Sequence, residues 1–114
     1  EPLFAVLSAA AVARIHQFFP QALANMAWSC AVLSCQDSTL LEAISAQSVN
    51  IISEANAQNM SNLLWSLATL LYADQPLLDS IAGAAQSRIT SFPVQELTNS
   101  LWSIARLNYA NQLL

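Results

Sequence analysis

Residues 58–68 read QNMSNLLWSLA, and this stretch decides the fold because it occurs three times. The same frame appears 37 residues upstream as QALANMAWSCA at 21–31, and 37 residues downstream as QELTNSLWSIA at 95–105. Glutamine, asparagine, tryptophan, serine and alanine keep their places in all three stretches. Self-similarity at a constant interval of this length is typical of a protein built from stacked repeats.

The repeat extends beyond this stretch to nearly the whole chain. Three more registers carry one residue type in every copy: Leu3, Leu40 and Leu77; Ile15, Ile52 and Ile89; Leu33, Leu70 and Leu107. Other registers exchange one apolar residue for another, as at Leu7, Ile44 and Ile81, which is what a repeated buried face requires. The interval of 37 residues therefore describes a structural unit.

Each unit predicts two helices. In the second unit, apolar side chains at helical spacing predict a first helix from about Ser38 to Ser53, with Asp37 or Ser38 as its N-cap. Pro20 and Pro93 mark the turn before the second helix, because proline is tolerated only in the first turn of a helix. The predicted fold class is all-α: a right-handed α-solenoid of three stacked two-helix repeats of 37 residues.

The repeat boundaries give the organisation of the chain: repeat 1 at 1–36, repeat 2 at 37–73, repeat 3 at 74–110, and the start of a truncated fourth repeat at 111–114. Neither end carries a polar capping helix, so we expect further repeats, or a partner, to cover both ends. The only glycine, Gly83, stands where Ala9 and Ala46 stand in the other units, and this substitution predicts close helix packing at that point.

Composition excludes several kinds of function. Hydrophobic residues make up 55% of the chain and charged residues 9%, with a net charge of −4 and no lysine, so no basic stripe follows a phosphate backbone. Cys30 and Cys35 are expected as buried thiols packed like small hydrophobic residues, not as a zinc site or disulfide framework. Polar residues interrupt the longest uncharged stretch, which predicts buried helices and no bilayer span.

Catalysis is not expected from this sequence. His16 has no Cys, Asp or Ser partner at catalytic spacing, so a general-base role is disfavoured. The carboxylates Asp37, Asp74 and Asp79 occupy cap or surface positions and do not pair into an acid and a base. We therefore expect no enzymatic activity, no metal ion and no cofactor.

The three strings beginning at Gln21, Gln58 and Gln95 resemble octotricopeptide repeats, the tryptophan-containing helical-hairpin repeats of algal and other protist organelle proteins. These repeats are related to the helical regions of RAP-domain proteins. The DQPLLDSI stretch at 74–81 looks like the first-helix start of the versions common in dinoflagellates. The resemblance implies single-stranded RNA as the ligand, a chloroplast or mitochondrial location, and about one nucleotide read by each repeat.

Nine residues form the repeat signature: Gln21, Asn25, Trp28, Gln58, Asn62, Trp65, Gln95, Asn99 and Trp102. Base stacking is one role for the tryptophans, but their place among leucines favours a core role. The amides are four residues apart on each helix, and an interhelical hydrogen-bonded ladder is favoured over ligand readout. Positions identical in every copy do not discriminate between bases.

Base readout implied by the resemblance belongs to polar positions that vary between copies. The candidates on and near the first helices are Gln47, Asn50 and Ser87, with Arg14 and Arg88 as possible phosphate contacts or simple surface arginines near helix ends. The leading hypothesis is an RNA-binding repeat module acting in transcript maturation, stability or translation, weakened steeply by salt. The alternative is a protein scaffold, docked in a large organellar complex such as a ribosome or photosystem.

Overall fold

The computed structural model describes residues 2–113, with side chains described for residues 2–108. The chain is all-α over this range, and no strand occurs among the described residues. Its helices are α1 (Pro2–Ala13), α2 (Pro20–Val32), α3 (Ser38–Asn50), α4 (Ala57–Leu70), α5 (Gln75–Gln86) and α6 (Val94–Leu113). Two of these helices begin within each of the ranges 1–36, 37–73 and 74–110.

The helices α1, α3 and α5 all end in the same way. After each, a single 3-10 turn follows, at Ile15–Gln17, Ile52–Glu54 and Ile89–Ser91. Every turn begins at the isoleucine that all three copies share. The helix expected over 38–53 is therefore a helix of 13 residues followed by this tight turn. A 3-10 turn keeps nearly the same spacing of apolar residues, which is why the pattern alone did not separate the two.

Aspartates cap α3 and α5 at corresponding positions. Asp37 accepts a hydrogen bond from the backbone amide of Leu40 at 3.1 Å, and Asp74 accepts one from Leu77 at 3.1 Å. The Ser8 hydroxyl donates to the second oxygen of Asp37 at 2.9 Å and so joins α1 to the start of α3. The Leu40 amide, and then the Ser8 hydroxyl, lower the pKa of the Asp37 carboxyl. Asp37 is thus the N-cap of α3, and Ser38, the other candidate from the sequence, is the first residue of the helix.

The helices α2 and α4 end in left-handed residues that lie 37 positions apart. Ser34 has φ 53° and Leu71 has φ 55°. The next amide in each case donates to a carbonyl of the last helical turn at 2.8 Å, from Cys35 to Cys30 and from Tyr72 to Leu67. This is the Schellman arrangement, in which glycine is usual because other residues lose about 1–2 kcal/mol in that conformation.

The last helix has no such end. It continues through Asn108, the corresponding position, to Leu113. The expected start of a fourth repeat at 111–114 lies beyond the last described side chain, and Leu114 is outside the described residues, so that start stays a prediction.

Corresponding helices pack on one another in chain order. We call α1, α3 and α5 the first layer, because α3 contacts both α1 and α5, and α2, α4 and α6 the second layer, because α4 contacts both α2 and α6. Contacts between the layers join α2 to α3 and α4 to α5. The core between them is mostly leucine, alanine and isoleucine, with Met60 and the Cys30 thiol.

Gly83 does not mark close packing. It lies in the interior of α5 and is exposed, and a Cβ added there meets nothing within 4 Å. The interpretation of this residue as a close helix contact is therefore wrong. The register faces solvent in every copy, since Ala9 and Ala46 are exposed as well.

The two cysteines are free thiols in different surroundings. Cys30 is buried, whereas Cys35 is partly exposed. Burial, followed by the nearby Cys35 and Asp37, raises the pKa of the Cys30 thiol to about 11. Cys30 therefore packs as a small uncharged residue, as expected, and Cys35 does so only in part. Among residues 2–113 no helix combines the length and the apolar character needed to cross a bilayer.

Candidate nucleic-acid interface

The repeated glutamine, asparagine and tryptophan lie on the outward side of the second layer. On α2, Gln21, Asn25 and Trp28 are four and three residues apart, so they form one stripe along the helix. The buried side of α2 is a different set: Leu23, Ala24, Ala27, Cys30 and Ala31. The stripes of α4 and α6 lie beside it, because α4 contacts both neighbours. We call the nine residues of the repeat signature the amide-indole face.

Two of the three tryptophans are half exposed. The exposed fraction is 50% for Trp28 and 49% for Trp102, whereas Trp65 is partly buried and packs against the core. The core position expected for the tryptophans is therefore wrong for Trp28 and Trp102. The preceding residue is buried at Ala27 but 72% exposed at Leu101, so the two indoles have different neighbours. An apolar neighbourhood in the sequence does not distinguish these two positions.

The amides of this face do not form the interhelical ladder expected from the sequence. All three glutamines are exposed, as is Asn25, while Asn62 and Asn99 are partly buried. Within residues 2–108, hydrogen bonds between side chains include those of Ser8 with Asp37 and of Gln75 with Asp79, and none is found for these six amides. The side chains of Gln21, Asn25, Gln58 and Gln95 are therefore exposed to solvent without an interhelical partner.

The serine next to each tryptophan has a structural role that the sequence alone did not reveal. The hydroxyls of Ser29, Ser66 and Ser103 donate to the carbonyls four residues earlier, at 2.9, 2.9 and 2.8 Å. Ser66 and Ser103 are fully buried. A hydroxyl that bonds to its own helix allows a small polar residue to lie at a tight helix contact without an unpaired donor. The carbonyls that accept these bonds belong to the asparagines of the amide-indole face.

The side chains of the candidates Gln47 and Arg88 donate hydrogen bonds to backbone carbonyls of the preceding helix pair. The Gln47 amide donates to the carbonyls of His16 and Phe18, both at 3.4 Å. The Arg88 guanidinium donates to the carbonyl of Ala55 at 2.6 Å. Because these side chains connect successive units, they are poorly placed to read a base or neutralise a phosphate.

The other first-layer candidates do not form a common groove. Ser87 is exposed and donates to the carbonyl of Ala84 at 3.0 Å. Asn50 is exposed at the last position of α3, and Arg14 is exposed in the connection after α1. The structure brings none of the five candidates into the amide-indole face.

Charge is divided between the two layers. Among residues 2–113, the charged residues of α2, α4 and α6 are Glu96 and Arg106 alone. The remaining charges belong to the first layer and its connections: Arg14, Asp37, Glu42, Glu54, Asp74, Asp79 and Arg88. The negative potential of the chain therefore arises mainly from the first layer, and the amide-indole face is nearly neutral.

Arg106 lies at the end of the α6 stripe, four residues after Trp102. Its Nε donates to the carbonyl of Ala68 in the last turn of α4 at 2.8 Å, and its guanidinium carbon lies 5.8 Å from the centroid of the Trp102 ring. This geometry fixes the indole and places one positive charge at the edge of the face. Neither contact was predicted from the sequence. The spacing of four residues could have indicated that Trp102 and Arg106 lie on the same side of α6.

A surface groove lies at the N-terminal end of the α2 stripe. Gln21 and Asn25 line it together with Phe18 and Phe19. Phe19 is 68% exposed. The exposed ring of Phe19 thus lies beside Gln21 and Asn25, the first amides of the face.

Comparison with known protein families gives a match over the whole chain. The profile of a family described as RNA-editing substrate-binding complex 6 protein matches residues 1–114. No curated protein sequence and no solved structure matches the chain. This family's description concerns RNA, as the resemblance implies, but the match does not show octotricopeptide repeats.

Proposed function

Because this chain belongs to the RNA-editing substrate-binding complex 6 protein family, we propose that it is a non-enzymatic repeat module that holds single-stranded RNA on its amide-indole face. The observation that carries this proposal is the half exposure of Trp28 on α2 and of Trp102 on α6, the two helices that flank α4 in the second layer. We describe the arrangement as an α-solenoid of three units of octotricopeptide type. The order of helix contacts within each layer supports that description.

Stacking is the interaction that this face offers. An exposed indole stacks on any base, and each such contact contributes about 1–3 kcal/mol. The free amides beside the indole can bond to base edges or to ribose hydroxyls, as in other single-stranded RNA interfaces. Since the same three residue types recur in every unit, the binding is expected to tolerate sequence variation.

The charge distribution predicts that the affinity for RNA falls only slightly as the salt concentration rises. A basic groove would instead lose affinity steeply. Arg106 is the one cation of the second layer among the described residues. With about one phosphate neutralised, the slope for single strands is about −0.7, so a fourfold rise in salt weakens binding about threefold. At the same slope per phosphate, a groove with six to ten phosphate contacts loses about 300-fold to 10⁴-fold in affinity.

The mitochondrion is the location we propose, because the matched family is that of a mitochondrial RNA-editing complex. The chloroplast, the other location implied by the octotricopeptide resemblance, has no support from this family.

A second candidate function is protein docking within the same complex. The observation in its favour is that apolar side chains at both ends of the layers are exposed, including Leu7 at 58% and Leu101 at 72%. Arg88 and Arg106 are also already bonded to backbone carbonyls. A module of this kind would bind its partner through apolar contacts that salt leaves unchanged or strengthens. Crosslinking that recovers protein neighbours and no RNA would favour it.

The test is binding of a fluorescein-labelled single-stranded RNA, followed by anisotropy and by quenching of tryptophan fluorescence. Trp28→Leu keeps the apolar volume but removes the aromatic face, so it should weaken binding about 5- to 150-fold. Trp28→Phe keeps an aromatic ring and should retain most of the affinity. Val6→Ala, at an exposed apolar position of the first layer, is the matched control and should bind as the unsubstituted chain does.

The proposal fails if the unsubstituted chain does not bind RNA, or if Trp28→Leu binds as well as Trp28→Phe does. Circular dichroism of each variant establishes that the helices are intact.

A further inference from the structure

Phe19 occupies a helix cap position without capping the helix. It precedes α2 with φ −92° and ψ 172°, and no side-chain hydrogen bond caps the helix there. Asn56, its counterpart before α4, has nearly the same backbone angles, φ −90° and ψ 178°. The Asn56 side chain accepts a hydrogen bond from the backbone amide of Asn59 at 2.7 Å, and the Asn59 side chain accepts one from the amide of Asn56 at 3.0 Å. Asparagine would therefore fit at Phe19 and stabilise the start of α2 better than an apolar residue does.

The exposure of Phe19 does not result from its place in the first unit. Its ring is 68% exposed, and its counterparts Asn56 and Pro93 are exposed as well, although another unit precedes each of them. The neighbouring Phe18 is the ring that packs against the core. Neither capping nor core packing thus accounts for a phenylalanine at this position. Proteins depart from such local preferences mainly at functional sites, so Phe19 is a candidate for ligand contact.

The groove beside Phe19 combines an aromatic ring with exposed amides. It has a volume of about 470 Å³, and its lining includes the amide side chains of Gln17, Gln21 and Asn25. None of the lining residues is charged, so the groove offers no cation to a phosphate. A flat ring stacks on a base, and a carboxamide carries both a donor and an acceptor for the edge of that base. Because Gln21 and Asn25 also belong to the amide-indole face, the groove continues that face.

We propose that this groove binds one nucleobase of the single-stranded RNA, with the base stacked on the Phe19 ring and its edge hydrogen-bonded to Gln21 and Asn25. Because the occupant is a base of the same RNA, this subsite rests on the proposed function. The other units have Asn56 and Pro93 in place of the ring, so the subsite belongs to the first unit alone. Stacking accepts any base, and the subsite therefore adds affinity more than base selectivity.

The experiment introduces the residue of the second unit into the first. Phe19→Asn should raise Tm by about 3–5 °C, because the asparagine caps α2. The same variant should weaken binding of a fluorescein-labelled single-stranded RNA about 5- to 150-fold in the anisotropy assay, because the stacking ring is lost. Phe19→Tyr keeps the ring and should bind RNA as the unsubstituted chain does, and so should the control Val6→Ala. Ultraviolet crosslinking followed by mass spectrometry should place an RNA adduct at Phe19.

Three results would overturn the subsite. If Phe19→Asn binds RNA as tightly as the unsubstituted chain while Trp28→Leu binds weakly, the groove holds no base, but the proposed function stands. If Phe19→Asn lowers Tm together with RNA affinity, Phe19 has a structural role and not a stacking one. If the unsubstituted chain binds no RNA, the proposed function fails and the subsite fails with it. The affinities of the Phe19 and Trp28 variants thus distinguish the two failures.

Discussion

Replacing Gly83 by alanine should stabilise the protein. A glycine at a close helix contact would respond in the opposite way, because the added methyl group would clash. The position lies inside α5, its φ is not positive, and an added Cβ meets no atom within 4 Å. The substitution therefore gains helix propensity without a steric cost. Glycine is about 0.5–1 kcal/mol less favourable than alanine in a helix interior.

The assay is urea unfolding followed by circular dichroism. Gly83→Ala should raise the free energy of unfolding by about 0.5–1 kcal/mol with an unchanged m value, and raise Tm by about 3–5 °C. The reverse substitution at the corresponding register, Ala46→Gly, should lower stability by a similar amount, because Ala46 is also exposed in a helix interior. A loss of stability in Gly83→Ala would refute the reasoning, since it would mean that another surface approaches α5 closely at this point.

Three further predictions concern a helix end, a helix start and a thiol. Leu71→Gly should raise the free energy of unfolding by about 1 kcal/mol and Leu71→Val should lower it, both measured by urea unfolding, because the position is left-handed. Asp37→Ala should cost about 1 kcal/mol in the same assay at neutral pH. The backbone amide at the start of α3 lowers the pKa of the Asp37 carboxyl, so its stabilisation is present above the unfolded-state pKa and is lost as pH falls through the folded value. The variant and the unsubstituted chain should therefore converge in acid. At mildly alkaline pH, iodoacetamide should modify Cys35 before Cys30, because Cys30 is buried with a pKa of about 11; mass spectrometry of the digested protein gives the order.

Much of the fold could be predicted from the sequence because helix boundaries depend on local signals. The first helix of the second unit begins at Ser38, after the cap Asp37. Its predicted end at Ser53 was wrong because the last residues of the predicted range belong to a 3-10 turn. Such signals act within a few residues, and the interval of 37 residues repeats them three times. The sequence therefore carries the same information three times over.

The candidate site was harder to predict because it depends on which side of each helix meets a neighbour. Trp28 and Ala27 are adjacent apolar residues, yet one is half exposed and the other is buried. Only the direction of packing between α2 and α4 separates them. Gln47 and Arg88 show the same limit, because a polar side chain at a variable position is compatible with both ligand readout and a bond to the next unit.

The amide-indole face follows from the periodicity of the sequence, because a constant interval places Gln, Asn and Trp at the same positions of α2, α4 and α6. Because stacking contacts contribute separately, a single-stranded RNA long enough to reach both Trp28 and Trp102 should bind more tightly than a mononucleotide, which stacks on one indole at a time. The measurement is fluorescence anisotropy with labelled RNAs of increasing length. Equal affinities for the short and the long RNA would contradict stacking on more than one indole.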